Sequence, residues 1–379
     1  MKKNQSDQQH ESIDRQRRRL LGAAGTGIAA STVAGVLGSG SAAAAASKTL
    51  RWGVVGTGSI ANSMARMIKL ADSAELAAVS SRRMESAKAF AERHGAGNAF
   101  DSWAEMAVSD VVDAIYVATP TSVREEICVA AANAGKHVLG EKPFATFDSV
   151  RRITAACRLN GVGFMDGTHF PHHPRTGHIQ SQMADETGRP WSVASAFQFN
   201  LTDRANIRFN PELEPYGAIG DTGWYNMRAA VEYLATDVEL VSADAHLRRD
   251  AETGAAISGS GVLVFNDGST STWNCGFDSG AVVMDLRITG PKGVISIDNF
   301  LSQDPDGSAS YLHRQGGWGP NAVRRSATIA SDKPGSARMF EDFAAMVGDT
   351  ESIEASMLAS ERTMALLDAS WESALANET

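Results

Sequence analysis

The feature that most constrains the fold is one unbroken stretch of residues 50–71. Leu50-Arg51-Trp52-Gly53-Val54-Val55 is a short apolar run, and Gly56-Thr57-Gly58-Ser59-Ile60-Ala61 follows it at once. Residues 62–71 then carry Met64, Met67 and Ile68 at helical spacing. This is strand, Gly-x-Gly-x-x-Ala, helix, the opening of a dinucleotide-binding unit. Gly56 permits the tight turn, and Gly58 lets backbone N–H groups approach a pyrophosphate. Ala61 stands where a third glycine is usual and still allows the helix to pack closely on the strand. The helix N-terminus, at Ser59 and Ile60, offers partial positive charge to phosphate.

The alternation continues. Residues 75–80, 114–118, 137–140 and 162–166 read as strands, and residues 85–94, 103–108, 123–134 and 149–159 as helices between them. Strands and helices in this order imply a parallel, doubly wound α/β sheet of the Rossmann type, expected over residues 47–167. Ligands bind at the carboxyl ends of such strands. Thr119-Pro120 and Glu141-Lys142-Pro143 fall there, which puts Lys142 at the mouth of the cleft. The second strand ends Val79-Ser80-Ser81-Arg82 with no acid. A carboxylate at that point would favour a free ribose 2′-hydroxyl. Ser81 and Arg82 instead favour a 2′-phosphate, so NADP is expected, with NAD as the alternative.

The pattern changes after Asp166. Residues 191–200, 238–248, 259–265, 269–277, 282–289 and 293–298 read as strands, with Asn266-Asp267-Gly268 as a hairpin turn. Residues 337–347 and 353–376 return to helix, and Gly217–Tyr225 reads as a glycine-rich entry into a helix reaching residue 234. An α+β unit with a mostly antiparallel open sheet is therefore expected over residues 168–379, its last helices returning toward the first sheet. The open sheet face suggests a homo-oligomer.

Residues 1–46 do not belong to this scheme. They run from a polar start through Arg17-Arg18-Arg19-Leu20-Leu21 into a Gly/Ala-rich stretch, and end Ser41-Ala42-Ala43-Ala44-Ala45-Ala46. This is the pattern of a twin-arginine export signal, implying handling by the twin-arginine machinery, arrival in the periplasm already folded, and no stable membrane anchor. The full chain has net charge −9; without residues 1–46 it has 29 bases and 41 acids, a net of −12. Such an acidic chain is a poor match for nucleic acid. Cys128, Cys157 and Cys275 sit among apolar neighbours and read as small core residues.

Gly56-x-Gly58-x-x-Ala61, Thr119-Pro120, Glu141-Lys142-Pro143 and Asp221-x-x-x-Tyr225 together resemble the Gfo/Idh/MocA oxidoreductase family over roughly residues 50–376. With the export signal, the chain is similar to the glucose–fructose oxidoreductase and dihydrodiol dehydrogenase branches, in which Tyr rather than His follows the Asp by four residues. Residues 165–176 are also similar to plant-type members. The resemblance implies a sugar or polyol substrate, a cis bond before Pro143 and no metal. It also implies a cofactor site that includes Thr119, Pro120, Glu141 and Lys142. One departure is Arg124, where the family often carries His.

Oxidising a carbinol needs a hydride acceptor, a base for the hydroxyl proton and a cation for the developing alkoxide. Lys142 suits the last role, Tyr225 the acid/base role, and Asp221, four residues earlier on the same helix, can orient substrate or Lys142. His173 and Arg175 are expected to line the substrate cleft. His169, His172 and His173 match no zinc spacing, and His169 and His172 read as polar loop residues. An exported dehydrogenase has no ordinary pool of free NADP, so the cofactor is expected to stay bound and be reset by a second substrate. A redox-neutral glycoside hydrolase of the same family is the alternative.

Overall fold

The computed structural model describes residues 49–234, 238–318 and 322–378. The export segment expected over residues 1–46 lies outside the described residues. Six strands, β1 (Leu50–Val55), β2 (Ala74–Ser80), β3 (Asn98–Phe100), β4 (Ala114–Val117), β5 (His137–Gly140) and β6 (Phe164–Asp166), form a parallel sheet in the order β3-β2-β1-β4-β5-β6. Apart from the edge strand β3, their side chains are almost wholly buried on both faces, as parallel strands between helices must be. The covering helices of this half are α1 (Ser59–Leu70), α2 (Met84–His94), α3 (Trp103–Val108), α4 (Thr121–Asn133) and α5 (Phe147–Asn160). The doubly wound unit expected from the alternation is therefore present. Its edge strand β3, only three residues long, has no sequence periodicity to announce it.

The second half holds α6 (Pro174–Glu186), β7 (Ser192–Asn200), α7 (Gly217–Asp221), α8 (Gly223–Tyr233), β8 (Leu240–Arg249), β9 (Ala256–Phe265) and β10 (Thr270–Gly276). It continues with β11 (Asp278–Thr289), β12 (Val294–Ile297), β13 (Ala309–Gln315), β14 (Val323–Ile329), α9 (Gly335–Met346) and α10 (Thr350–Ala376). The eight strands order as β14-β13-β12-β11-β7-β10-β9-β8, antiparallel except for the parallel pair β7–β10. The 266–268 turn joins β9 to β10, with Gly268 at φ 81°. The sequence reading omitted α6, β13 and β14.

The two sheets are stitched by the C-terminal helices and one buried ion pair. Phe340 and Phe343 of α9 meet the Trp52 ring of β1 edge-on, with centroids 4.9 and 5.0 Å away. At the end of β6, Asp166 accepts from Arg228 Nη1 of α8 at 2.7 Å and from Ser360 Oγ of α10 at 2.6 Å. A buried carboxylate with these donors stays ionised and locks three elements to one point. Cys128, Cys157 and Cys275 are all free and buried, as expected of core thiols.

Candidate active site

The loops after β1, β2, β4, β5 and β6 converge on one edge of the parallel sheet. The face of β7 and the 205–214 segment stand opposite, and the cleft between encloses about 1290 Å³. At its centre Lys142, which precedes a cis bond to Pro143, reaches across from the end of β5. Its ammonium donates to Asp221 Oδ1 at 2.7 Å and to the Asp221 carbonyl oxygen at 2.9 Å. The same ammonium stands 4.7 Å from the centroid of the Tyr225 ring. Lys142, Asp221 and Tyr225 are thus brought together.

Local sequence makes this meeting feasible. The helix expected over residues 217–234 is broken at Thr222, whose hydroxyl donates back to the Ala218 carbonyl oxygen at 2.8 Å, a bond that bends helices. Asp221 ends α7 and Tyr225 lies in the first turn of α8, so both still face Lys142. Gly220 permits the approach: a Cβ there would lie 2.7 Å from Tyr216 Cβ and 3.0 Å from Pro143 Cγ.

The electrostatics are set by burial and by the charges of Lys142, Asp221, Glu141 and Arg208 around Tyr225. Burial alone would lower the Lys142 pKa, but Asp221 first, then Tyr225 and Glu141, outweigh it and leave it raised. Burial alone would raise Asp221, but Lys142 and Arg208 hold its carboxyl well below the usual range. Burial pushes the Tyr225 phenol up to about 12, with Lys142 pulling the other way. At neutral pH the site therefore presents two donors, a neutral phenol and an ammonium that the Asp221 carboxylate holds. The Tyr225 hydroxyl makes no hydrogen bond to any described residue and is available to a ligand oxygen.

The other predicted residues divide into two groups. Gly56 (φ 110°) leaves room for the Ala118 carbonyl oxygen only 2.8 Å from where a Cβ would stand. Helix α1 has no side-chain cap and no acid in its first turn, which leaves its N-terminus to an anion. A Cβ at Gly58 would meet nothing within 4 Å. Ser59, Ile60, Ser81, exposed Arg82, Thr119, Pro120 and Glu141 all line the same cleft, and Thr119 Oγ1 is buried without a partner. An open phosphate cradle at the end of β1, an exposed guanidinium at the end of β2 and an orphaned hydroxyl at the end of β4 fit a nicotinamide dinucleotide with a 2′-phosphate.

His173 and Arg175 also border the cleft, but all their side-chain polar atoms except Arg175 Nε are committed inside the protein. His173 Nδ1 accepts from Arg175 N at 3.0 Å, capping α6, while Arg175 donates to the carbonyl oxygens of Asn299 and Phe300 at 3.0 and 2.7 Å. Glu141 accepts from the Tyr116 hydroxyl and from Lys142 N. Arg124, the departure from the family pattern, is buried and donates to the Thr119 and Pro143 carbonyl oxygens, so it clamps the ends of β4 and β5 together.

Several residues of this site escaped sequence reasoning. Arg208 donates to Asp221 Oδ2 at 2.6 Å and to Oδ1 at 3.2 Å. His169, expected to be a polar loop residue, faces the Tyr225 ring at 5.6 Å, and burial, with Lys142 and His172 behind it, lowers it to about 4. Phe197 and Phe199, alternate residues of β7, line the cleft, Phe197 meeting Tyr225 edge-on at 5.4 Å. Aromatic residues at i and i+2 of a strand were the available signal for the last pair; Arg208 and His169 had none.

Comparison with known proteins places this geometry. Residues 50–168 match the family model described as "Oxidoreductase family, NAD-binding Rossmann fold", and residues 182–296 match "GFO/IDH/MocA C-terminal domain". D-xylose 1-dehydrogenase (NADP(+)) 2 of Haloferax volcanii is 29% identical, over 86% of this chain and 97% of its own. A dTDP-3,4-didehydro-2,6-dideoxy-alpha-D-glucose 3-reductase of Actinomadura kijaniata is 33% identical over 60% of this chain and 69% of its own. The crystal structure of a 3-ketoreductase from Actinomadura kijaniata, in complex with NADP and TDP-benzene, superposes with a TM-score of 0.77 at 25% identity, covering 86% of this chain and 98% of that one.

Proposed function

Because the chain belongs to the Gfo/Idh/MocA oxidoreductase family, we propose that it is an NADP-dependent enzyme interconverting a carbinol and a carbonyl on a sugar or polyol. The observation that carries this reading is the Lys142 ammonium, 2.7 Å from Asp221 and 4.7 Å from the Tyr225 ring, at the mouth of the Gly56–Gly58 cradle. Sugar and keto-sugar substrates in the names of the relatives support the same class.

The cradle, Arg82 and Thr119 would hold NADP, which supplies the nicotinamide carbon that gives or takes the hydride. The chain's own residues do the rest. The Lys142 ammonium and the Tyr225 hydroxyl converge as donors on one substrate oxygen, stabilising negative charge as it develops there. Tyr225 delivers a proton to that oxygen in reduction and removes it in oxidation. Asp221 is a hydrogen-bond acceptor that keeps Lys142 charged and aimed. Phe197 and Phe199 give the apolar face of a sugar ring a surface to lie on.

We further propose export by the twin-arginine route, on the evidence of residues 1–46, and retention of NADP through successive turnovers. The twin-arginine route carries folded protein, so a cofactor can be loaded first. A carbonyl compound as second substrate would then reset the bound nucleotide. A homo-oligomer formed on the outer face of the eight-stranded sheet accords with exposed Val241, Val262 and Val282 on that sheet.

The test is to add D-xylose, D-glucose and polyols singly to purified protein with NADP and follow absorbance at about 340 nm. Growth of the reduced-nicotinamide band with any member supports the proposal. Phenol release from aryl glycosides with no net NADP reduction would replace it with the redox-neutral hydrolase. Neither response would overturn it.

A further inference from the structure

Asp221 is shared by two cations, and only one of them belongs to the family's motif residues. Lys142 Nζ lies 2.7 Å from Oδ1, and Arg208 Nε lies 2.6 Å from Oδ2. Arg208 rides on a strap, residues 201–216, that crosses from β7 to the first sheet. The strap is pinned at two places, where Glu214 accepts from Thr121 N at 3.1 Å and from Thr121 Oγ1 at 2.5 Å and where Phe209 packs on Phe277; within it, Asn206 Oδ1 accepts from Arg208 N at 3.1 Å.

We propose that Arg208 is a positioning residue for Lys142: by holding Asp221 Oδ2 and reaching Oδ1 as well, it leaves the trio with one surplus positive charge beside Tyr225. A lysine paired alone with a buried carboxylate is neutralised by it and has little charge left for a developing alkoxide. Here two cations divide one anion. The other acids nearby accept hydrogen bonds of their own, Glu214 from Thr121 and Glu141 from Tyr116 and the Lys142 backbone N–H, and act on the two cations only from further off, Glu141 on Lys142 and Glu214 on Arg208. The remaining titratable groups facing the trio are Tyr225, a neutral phenol, His169, a neutral imidazole, and the buried neutral thiol of Cys275. Arg208 acts against the Lys142 proton affinity, opposite to Asp221.

The inference rests on the oxidoreductase reading for its catalytic meaning, but its test does not need turnover. Lys142 is acylated with isotopically labelled acetic anhydride in the full chain, and its rate is read by mass spectrometry for wild type, Arg208→Gln and Arg208→Lys. Removing the Arg208 charge should leave Lys142 more firmly protonated and slow its acylation by about threefold or more at about pH 9, the change that half a pKa unit gives. Arg208→Lys should restore the wild-type rate. If Arg208 merely held the strap shut, Arg208→Gln would expose Lys142 and speed its acylation; that result, or an unchanged rate, overturns the proposal. Arg208→Met carries the same test should the glutamine variant not fold. With D-xylose as probe, Arg208→Gln should lower kcat about tenfold while KM moves less than about threefold. Slowed acylation in a protein that reduces no NADP would leave Arg208's role standing and remove the proposed function.

Discussion

Replacing Asp221 with Asn tests the electrostatics of the site in one step. The carboxylate neutralises Lys142, whose side chain is 9% exposed, and also meets Arg208, which is 37% exposed. Asparagine keeps the shape and removes the charge, leaving the more buried cation uncompensated. Breaking such a pair costs about 3–5 kcal/mol, and the exposure of Arg208 places the expected loss near the lower end, about 3 kcal/mol. The pH dependence has a definite sign. The Asp221 pKa is depressed in the folded protein, so its contribution is complete above the ordinary value of 3.8 and is lost as pH falls toward the folded value. Lys142 is raised above its ordinary 10.5, so its part is complete below that value and is lost as pH rises through the folded one. Urea unfolding of wild type and Asp221→Asn should therefore differ by a constant amount from about pH 5 to about pH 9, and the gap should narrow below about pH 4. A gap under about 1 kcal/mol at neutral pH, or one that widens in acid, would refute the reasoning.

Three other outcomes follow from the same arrangement of residues. Gly58→Ala adds a methyl group where no protein atom lies within 4 Å, so the fold should melt as wild type while NADP affinity, by calorimetry, falls about tenfold or more as the pyrophosphate cradle fills; unchanged affinity would show that the cradle is not used. Arg82→Ala should weaken NADP by about 1–2 kcal/mol and leave NAD within about twofold, because the guanidinium is exposed at the β2 end and its target is the 2′-phosphate; equal losses for both nucleotides would count against that assignment. With the Tyr225 phenol pushed up to about 12, carbonyl reduction should be flat through neutral pH, while carbinol oxidation should rise steadily into alkali as the phenolate becomes accessible. Stopped-flow rates in both directions check this, and an oxidation rate that levels off near neutral pH would assign the base to another group.

The sequence disclosed the first sheet well, because strand, turn and helix alternate there and each strand end carries a recognisable residue set. Lys142, Asp221 and Tyr225 could be named for the same reason: their motifs lie at strand and helix ends whose direction is fixed by topology. The second sheet was only partly legible. Strand β13 alternates in burial but carries Ser, Arg and Gln on its outer positions, β14 has Arg324, Arg325 and Ser326 exposed in a row, and the 27-residue helix α10 was recognised while the more polar α6 was not. Arg208 was invisible because residues 201–216 have no periodicity. What selects that arginine is the remaining acceptor capacity of Asp221 after Lys142, a requirement that exists only in three dimensions. His173 and Arg175 were legible as a polar pair on the way into the cleft, yet the carbonyl groups they hold come from residues more than a hundred positions downstream.

The most direct measurement is a crystal structure of the protein with NADP. The dinucleotide should lie along the β1–α1 turn with its 2′-phosphate at Arg82, and the Lys142 ammonium should stand beside the nicotinamide ring. An empty cleft at saturating NADP, or an ammonium turned away into solvent, would contradict the enzymatic reading.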